Sequence, residues 1–398
     1  MRRIINIACY ETMYIFKDRT LRLLLLAVPL LYAAIFGLVY SAGVLTDIPL
    51  AIVDLDRSKL SREVVTAFQN SSHFKPVPSV TTYDQLEQAM RNGTVRAGIV
   101  IPEHFAQQAE QHRSTEIAGI YDASNLLWGY NTRKYLREVI TDFNSHHTAA
   151  YLAGLGISQH QVQDIMNTVS LNYEVWYNPT FSYATYLYVG LLMMVLHQIC
   201  LLSVSLTVTR EKERNTWIQY LASPLPNWQI FMGKALPYFV VNYFNFSLLL
   251  WLAVRFVQVK FEGSLGLVLL LGLLYDAIIT SLGFFISLHA PNSLQVTRYL
   301  MLLSVPIFIT SGFTWPHTHI PLAVNALARL MPFTWMAESI RLVTVKNLPA
   351  AYLVNHLLVM AGMALVALTL AACFSKRRRP PVHDGVIVNS DTFYPGIK

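Results

Sequence analysis

Charge is scarce in this 398-residue chain: Asp, Glu, Lys and Arg make up 13% of it while 54% is hydrophobic, well short of the roughly 25% charged residues of an average soluble protein. That balance argues against a soluble globular chain and predicts a membrane protein. Cysteine is scarcer still. Cys9, Cys200 and Cys373 are the three present, all in segments read below as cytoplasmic or membrane-embedded, so the outside region has no disulfide framework and must hold by packing alone. No G-x-x-x-x-G-K-[ST] phosphate loop occurs, since Gly233-Lys234 lacks both the upstream glycine and the hydroxyl residue; no nucleotide cofactor is expected on this chain. The G-x-S-x-G elbow of hydrolases is missing too. His146-His147 and the pair His317, His319 have no Cys or acidic cluster to complete a metal site, and adjacent histidines on a helix point about 100° apart. The net charge of +7 has no basic face interleaved with aromatics behind it, which argues against nucleic acid. Neither an enzyme nor a metalloprotein is expected.

What the chain has is apolar length. A hydrocarbon core of roughly 30 Å takes about 20 helical residues, and six runs qualify: Leu23–Val39, Tyr183–Val208, Leu236–Val259, Leu265–Leu288, Val296–Phe313 and Tyr352–Phe374. Pro306 and Gly312 inside the fifth predict a kink or a re-entrant segment, because lipid cannot replace the backbone donor that proline lacks. Basic residues gather before the first run (Arg2, Arg3, Lys17, Arg19, Arg22), between the second and third (Arg210, Lys212, Arg214, Lys234) and after the sixth (Lys376–Arg379). With six crossings all three clusters share one side, which the positive-inside rule makes the cytoplasm. Both termini are then cytoplasmic, and the positive charge meets anionic inner-leaflet lipid. The first run starts too late and is too long for a cleaved signal peptide.

The fold class expected is therefore an α-helical membrane protein with six transmembrane helices, plus an α/β extracytoplasmic domain inserted between helices 1 and 2. Residues 1–22 form a cytoplasmic interfacial helix with Ile4, Ile5, Ala8 and Tyr14 among its apolar residues, and 23–42 form transmembrane helix 1. Residues 43–180 form the periplasmic domain with a helical stalk. Residues 181–374 hold transmembrane helices 2–6, including a cytoplasmic segment at 209–234, and 375–398 are a basic cytoplasmic tail. Within the insert, Leu50–Val53 reads as a buried strand ending at Asp54. Ser58 can cap a helix that carries Leu60, Val64 and Phe68 on one face. Thr82 with Gln85 is a capping box opening a second helix, with Leu86, Ala89 and Met90, that Gly93 ends. Val95–Ile101 and Glu116–Tyr121 read as further strands, and Ser124–Ala153 and Ser158–Val169 as helices.

Several stretches carry a resemblance. They are KDRTLRLLLLAVPL at the first run, VDLDRS at Val53–Ser58, AGIVIP at Ala97–Pro102, REKERNTWIQYLASPLPNWQIFMGK at Arg210–Lys234, SGFTWP at Ser311–Pro316 and LMPFTWMAESIRLV at Leu330–Val343. In this order, over most of the chain, the sequence resembles a type-two ABC exporter permease of the subfamily with a large extracytoplasmic domain between spans one and two. Asn215-Thr216 stands where that family usually has Gly-Thr, and asparagine tolerates the left-handed turn that glycine would take.

The resemblance implies a permease subunit in the inner membrane of a bacterium, moving an amphipathic, drug- or lipid-like substrate outward. ATP and Mg would be held by a separate cytoplasmic ABC ATPase subunit. It implies a second permease copy or a related permease as partner and, in a Gram-negative host, a periplasmic adaptor and outer-membrane channel. By the same resemblance Thr216–Ala222 is a coupling helix, and the ATPase-docking residues are Arg210, Glu211, Glu213, Asn215, Thr216, Trp217, Leu221, Ser223 and Pro224, with Trp217, Leu221 and Trp228 as apolar anchors. Inside the spans, Asp276, His197, Asn242 and Asn245 are candidates for a substrate pathway, because polar groups at membrane depth usually face a bundle interior or a cavity. Plain helix-to-helix hydrogen bonding remains the other reading of each. A different class of function, an ATP-driven mechanical relay acting on a periplasmic partner without transport, predicts a packed apolar interior where a conduit predicts a polar cavity.

Overall fold

The computed structural model describes residues 2–40, 45–111, 115–156, 177–178, 182–259 and 261–373; the helix expected at Ser158–Val169 and the basic tail at 375–398 lie outside them. The chain divides into two units, Met1–Gly43 with Tyr177–Lys398, and Val44–Trp176. In the first, helix α1 (Arg2–Lys17) precedes six helices long and apolar enough to cross a membrane: Arg19–Tyr40, Ala184–Glu213, Asn227–Arg255, Leu265–His289, Ser293–Thr310 and Ala350–Ala372. These are spans one to six. Span two runs past the expected end at Val208 and span three starts well before Leu236. Hydropathy marks where apolar residues stop, but Arg, Lys and Glu are good helix formers and carry the helix onward. Pro306 does not break span five, which is a single helix from Ser293 to Thr310. The chain turns after it, with Gly312 at φ 76°.

The second unit is built on a four-stranded sheet of β1 (Ile48–Asp54), β2 (Phe74–Pro76), β3 (Ala97–Ile101) and β4 (Ala118–Tyr121). The order is β2-β1-β3-β4, with β1 parallel to β2 and β3, and β3 antiparallel to β4. Among the described residues four helices accompany it, α2 (Lys59–Gln69), α3 (Tyr83–Arg91), α4 (Phe105–Glu110) and α5 (Leu126–Gly154). Side chains alternate between faces along a strand. Ile48 and Leu50 therefore join Val64, Phe68, Phe105 and Leu136 in one core, while Ala51 and Val53 join Leu86 and Ala89 in another. Burial on both faces explains the unbroken apolar strands. The strand β2 escaped the sequence reading because three residues with a lysine and a proline carry no periodicity, and α4 escaped because it is under two turns long.

The VDLDRS stretch runs from the end of β1 into a tight turn. Asp54 Oδ1 accepts the N–H groups of Asp56 (3.1 Å) and Arg57 (3.0 Å), its Oδ2 accepts the Ser61 hydroxyl (2.8 Å), and Asp56 accepts Ala106 N–H (3.1 Å) at the start of α4. At the other end of the sheet, Asp122 follows β4 beside Arg96. Hydrogen bonds from the Ser124 side chain and N–H, and then from Arg96, pull its carboxyl from 3.8 down to about 2. A carboxyl depressed in the folded state stabilises above its unfolded value and loses that contribution as pH falls through the folded one. Asp122→Asn is therefore expected to flatten the pH dependence of this unit's unfolding between about pH 4 and pH 2, read by circular dichroism melts of residues 44–176 within the full chain. An unchanged slope would contradict it.

Three short helices complete the first unit, α6 (Trp217–Ala222), α7 (Leu322–Arg329) and α8 (Pro332–Thr344). Beyond span five, Arg341 of α8 holds the SGFTWP turn: its Nη2 donates to the Phe313 carbonyl at 2.6 Å and its guanidinium lies 4.0 Å from the Phe313 ring centre. That ring packs against Gly190 of span two.

Candidate functional site

The last turn of span two carries four consecutive charges, Arg210, Glu211, Lys212 and Glu213. Successive helical residues point about 100° apart, so the four leave the helix in different directions and between them reach α1 and spans three, four and five. Arg210 donates to the Tyr238 hydroxyl of span three at 2.9 Å and lies 3.8 Å from Glu11 of α1. Glu211 accepts from Lys234 of span three at 2.9 Å and from the Thr216 hydroxyl. Lys212 Nζ donates to the carbonyls of Ser287 (3.1 Å), Leu288 (2.6 Å) and Ala290 (2.9 Å) at the end of span four. Glu213 accepts the N–H (2.7 Å) and hydroxyl (3.0 Å) of Ser293 at the start of span five. A cation at a helix C-terminus and an anion at an N-terminus are the stabilising signs for the helix dipole, and adjacent residues supply both.

Behind these lies a buried ionic centre. Lys234 has no exposed side-chain surface and contacts Glu11 at 3.0 Å as well as Glu211. Glu11, buried in α1, also accepts the Tyr238 hydroxyl at 3.0 Å. Helix α1 reaches this depth because Gly233 has no side chain: a Cβ there would stand 2.7 Å from Ile7. Gly233-Lys234, which failed as part of a phosphate loop, is thus a close-approach residue beside an ion-pairing one. Neither Glu11 nor Lys234 was expected here. The signal was present, since Glu11 is the sole acid of α1 and the basic residues of that helix stand at its ends, and an acid flanked by apolar residues needs a partner when it is buried.

The α6 segment begins after Asn215, which takes φ 59°, and Ser223 ends it, donating to the Tyr220 carbonyl at 2.7 Å. The next residue, Pro224, is exposed. Trp217, expected as an outward anchor, is buried at 7% exposure, and Leu221 is half-buried against the bundle core. The outward apolar positions are Ile218 at 50% and Trp228 at 49% exposure, with Gln219 and Ala222 beside them. Arg210, Glu211 and Glu213 are likewise turned to partners within the chain. A cavity of about 420 Å³ lies between α1, the end of span two and α6, walled by Tyr10, Tyr14, Arg210, Tyr220 and Leu225. Burial there pushes the Tyr220 phenol up.

Of the polar residues within the spans, two come together and two do not. Asp276 and Asn242 line one cavity of about 20 Å³ with Cys200 and Tyr275. Asp276 Oδ1 accepts from Cys200 Sγ and the Thr280 hydroxyl, each at 3.3 Å. His197 pairs instead with the Tyr275 hydroxyl at 2.7 Å. Asn245 donates to the Leu25 carbonyl of span one at 2.7 Å. That carbonyl sits in a π-helical turn, Leu23–Ala27, where the i to i−4 ladder is interrupted and an outside donor is useful. His356 contacts Glu338 of α8 at 3.4 Å.

Comparison with known proteins places these features in a family context. Residues 19–373 match the sequence profile described as ABC-2 family transporter protein. The chain is 24% identical over 400 residues to the probable multidrug ABC transporter permease YbhS of Escherichia coli (strain K12), covering 95% of this chain and 97% of that one. It is 23% identical over 334 residues to the probable multidrug ABC transporter permease YbhR of the same organism, covering 84% and 87%. It is also 24% identical over 358 residues to the linearmycin resistance permease protein LnrN of Bacillus subtilis (strain 168), covering 84% and 89%.

Proposed function

Because the chain belongs to the ABC-2 family of transporter proteins, we propose that it is the membrane-spanning half of an ATP-driven exporter. A separate ABC ATPase hydrolyses the nucleotide, with its ATP and Mg, and grips the exposed face of α6. Both termini and α6 lie in the cytoplasm of a bacterial cell, and residues 43–180 lie outside. The substrate is amphipathic, drug- or lipid-like, in line with relatives named for multidrug transport and linearmycin resistance. With a Gram-negative host, the outside domain hands it to a periplasmic adaptor and outer-membrane channel.

The observation that carries this reading is the division of labour in Arg210, Glu211, Lys212 and Glu213, which tie the helix next to α6 to α1 and spans three, four and five. A push on α6 therefore reaches α1 and spans three, four and five through charge-assisted hydrogen bonds rather than through a loose loop. The conduit is assigned to the interface between two permease copies, where two-fold symmetry puts a shared path. Ligand pockets occupy about 300–1,000 Å³, far beyond the 20 Å³ beside Asp276. Span five, with 11% of its apolar window buried within the chain, supplies surface for the second copy.

The docking residues are then Ile218, Gln219 and Trp228, with Trp217, Glu211 and Glu213 acting inward as transmitters. Ile218→Asp is expected to weaken copurification with the cognate ABC ATPase roughly 30-fold, the equivalent of about 2 kcal/mol at an apolar hot spot, while the melting profile stays that of wild type. ATP-dependent efflux from reconstituted vesicles should fall with it. Full ATPase association in that variant would refute the docking face, and efflux without any ATPase would refute the function.

A further inference from the structure

Asn242 is 4% exposed and neither Nδ2 nor Oδ1 has a hydrogen-bond partner; Asp276 Oδ2, unlike its satisfied twin Oδ1, has none either. Unpaired buried polar groups are expensive, the more so at membrane depth. Three orphans on one small cavity are a site. Its volume of about 20 Å³ exceeds the roughly 10–15 Å³ that one water needs and admits nothing much larger.

We infer that this cavity is a binding site for a single structural water that bridges Asn242 of span three to Asp276 of span four. The water donates to Asp276 Oδ2 and to Asn242 Oδ1 and accepts from Asn242 Nδ2, the two to four partners a buried water takes. Either orientation of the amide leaves the same donor and acceptor to be answered. A bare monovalent cation would satisfy the two oxygens but face the Nδ2 donor with like polarity. The Tyr275 hydroxyl has its own partner in His197, at 2.7 Å. Asn242 and Asp276 are thus one unit, a wet clamp between adjacent spans, whatever the chain transports.

A double-mutant cycle on the purified full-length protein tests it. Asn242→Leu and Asp276→Leu should each lower Tm, since each strands the other side of the bridge, and the double variant should fall no further than the worse single. Two shifts that add in the double variant would overturn the coupling. Wild-type protein supplies the second arm, independent of whether the variants fold. A cryo-EM map that shows ordered water should contain one peak within hydrogen-bond reach of both residues. An empty cavity in a map that resolves other enclosed waters would overturn the proposal, as would a Tm raised by sodium and not by choline, which would indicate a cation.

Discussion

Lys234→Met is expected to destabilise the helical unit by about 3–5 kcal/mol, the range for removing one partner of a buried ion pair. The loss is not of a favourable contact alone. Glu11 and Glu211 both approach Lys234, and without its ammonium two carboxylates face an uncharged thioether, with Arg210 left as a cation 3.8 Å from Glu11. Urea unfolding in detergent micelles reads the effect, and protease cleavage within residues 2–17 reads its location, because α1 is held at depth by this centre. The destabilisation should persist from 0.1 to 1 M salt, since buried pairs are screened far less than exposed ones. Joint replacement of Lys234 and Glu11 by apolar residues should recover part of it, as apolar substitutes for whole buried pairs often do. A variant within about 1 kcal/mol of wild type, the value of an exposed pair, would show that the centre is solvated.

The second large effect is expected from a single methyl group. A Cβ on Gly190 would stand 2.0 Å from the Phe313 ring, and that ring has little freedom to yield. It is 4% exposed, covered by the Arg341 guanidinium at 4.0 Å, and its own carbonyl accepts from Arg341 and, at 3.3 Å, from the Tyr186 hydroxyl. Overpacking of a tight core costs about 1–3 kcal/mol, and Gly190→Ala is expected at the upper end. The displaced turn also separates α8 from the end of span five, so on the proposed function ATP-dependent transport in vesicles should drop more than stability alone explains. Phe313→Leu added to Gly190→Ala should restore much of the stability, which identifies the ring as the obstacle. Wild-type melting of Gly190→Ala would mean that the ring swings aside freely.

The number of apolar helices, the apolar strands and the caps at Ser58 and Thr82 were legible in the sequence because each depends on neighbours within a few residues. Hydropathy, side-chain period and capping chemistry are local quantities. Family membership was legible for a related reason, since ordered motifs survive as text. The segment from Arg210 to Lys234 was legible as a charged element between apolar runs, yet the direction of each side chain was not: of the expected anchors Trp228 is exposed and Trp217 is buried. Trp217 and Ile218 are adjacent and about 100° apart on a helix; by composition the tryptophan is the better anchor, and the bundle turned it inward and the isoleucine outward.

The same limit separates the polar residues within the spans. Asn242 and Asn245 are three residues apart on one helix, and only the packing of spans one and four around span three sends one to a cavity and the other to a π-turn carbonyl. Likewise Glu11 and Lys234 stand 223 positions apart, so no window on the sequence joins them. What the amino-acid order determined by itself is where the chain is oily, where it is helical and where its charges gather, because transfer free energy and local propensity are properties of short stretches. What the tertiary structure alone decided is which charge meets which helix end, because that depends on rotation of one helix against another, and a rotation of 100° costs the sequence pattern nothing.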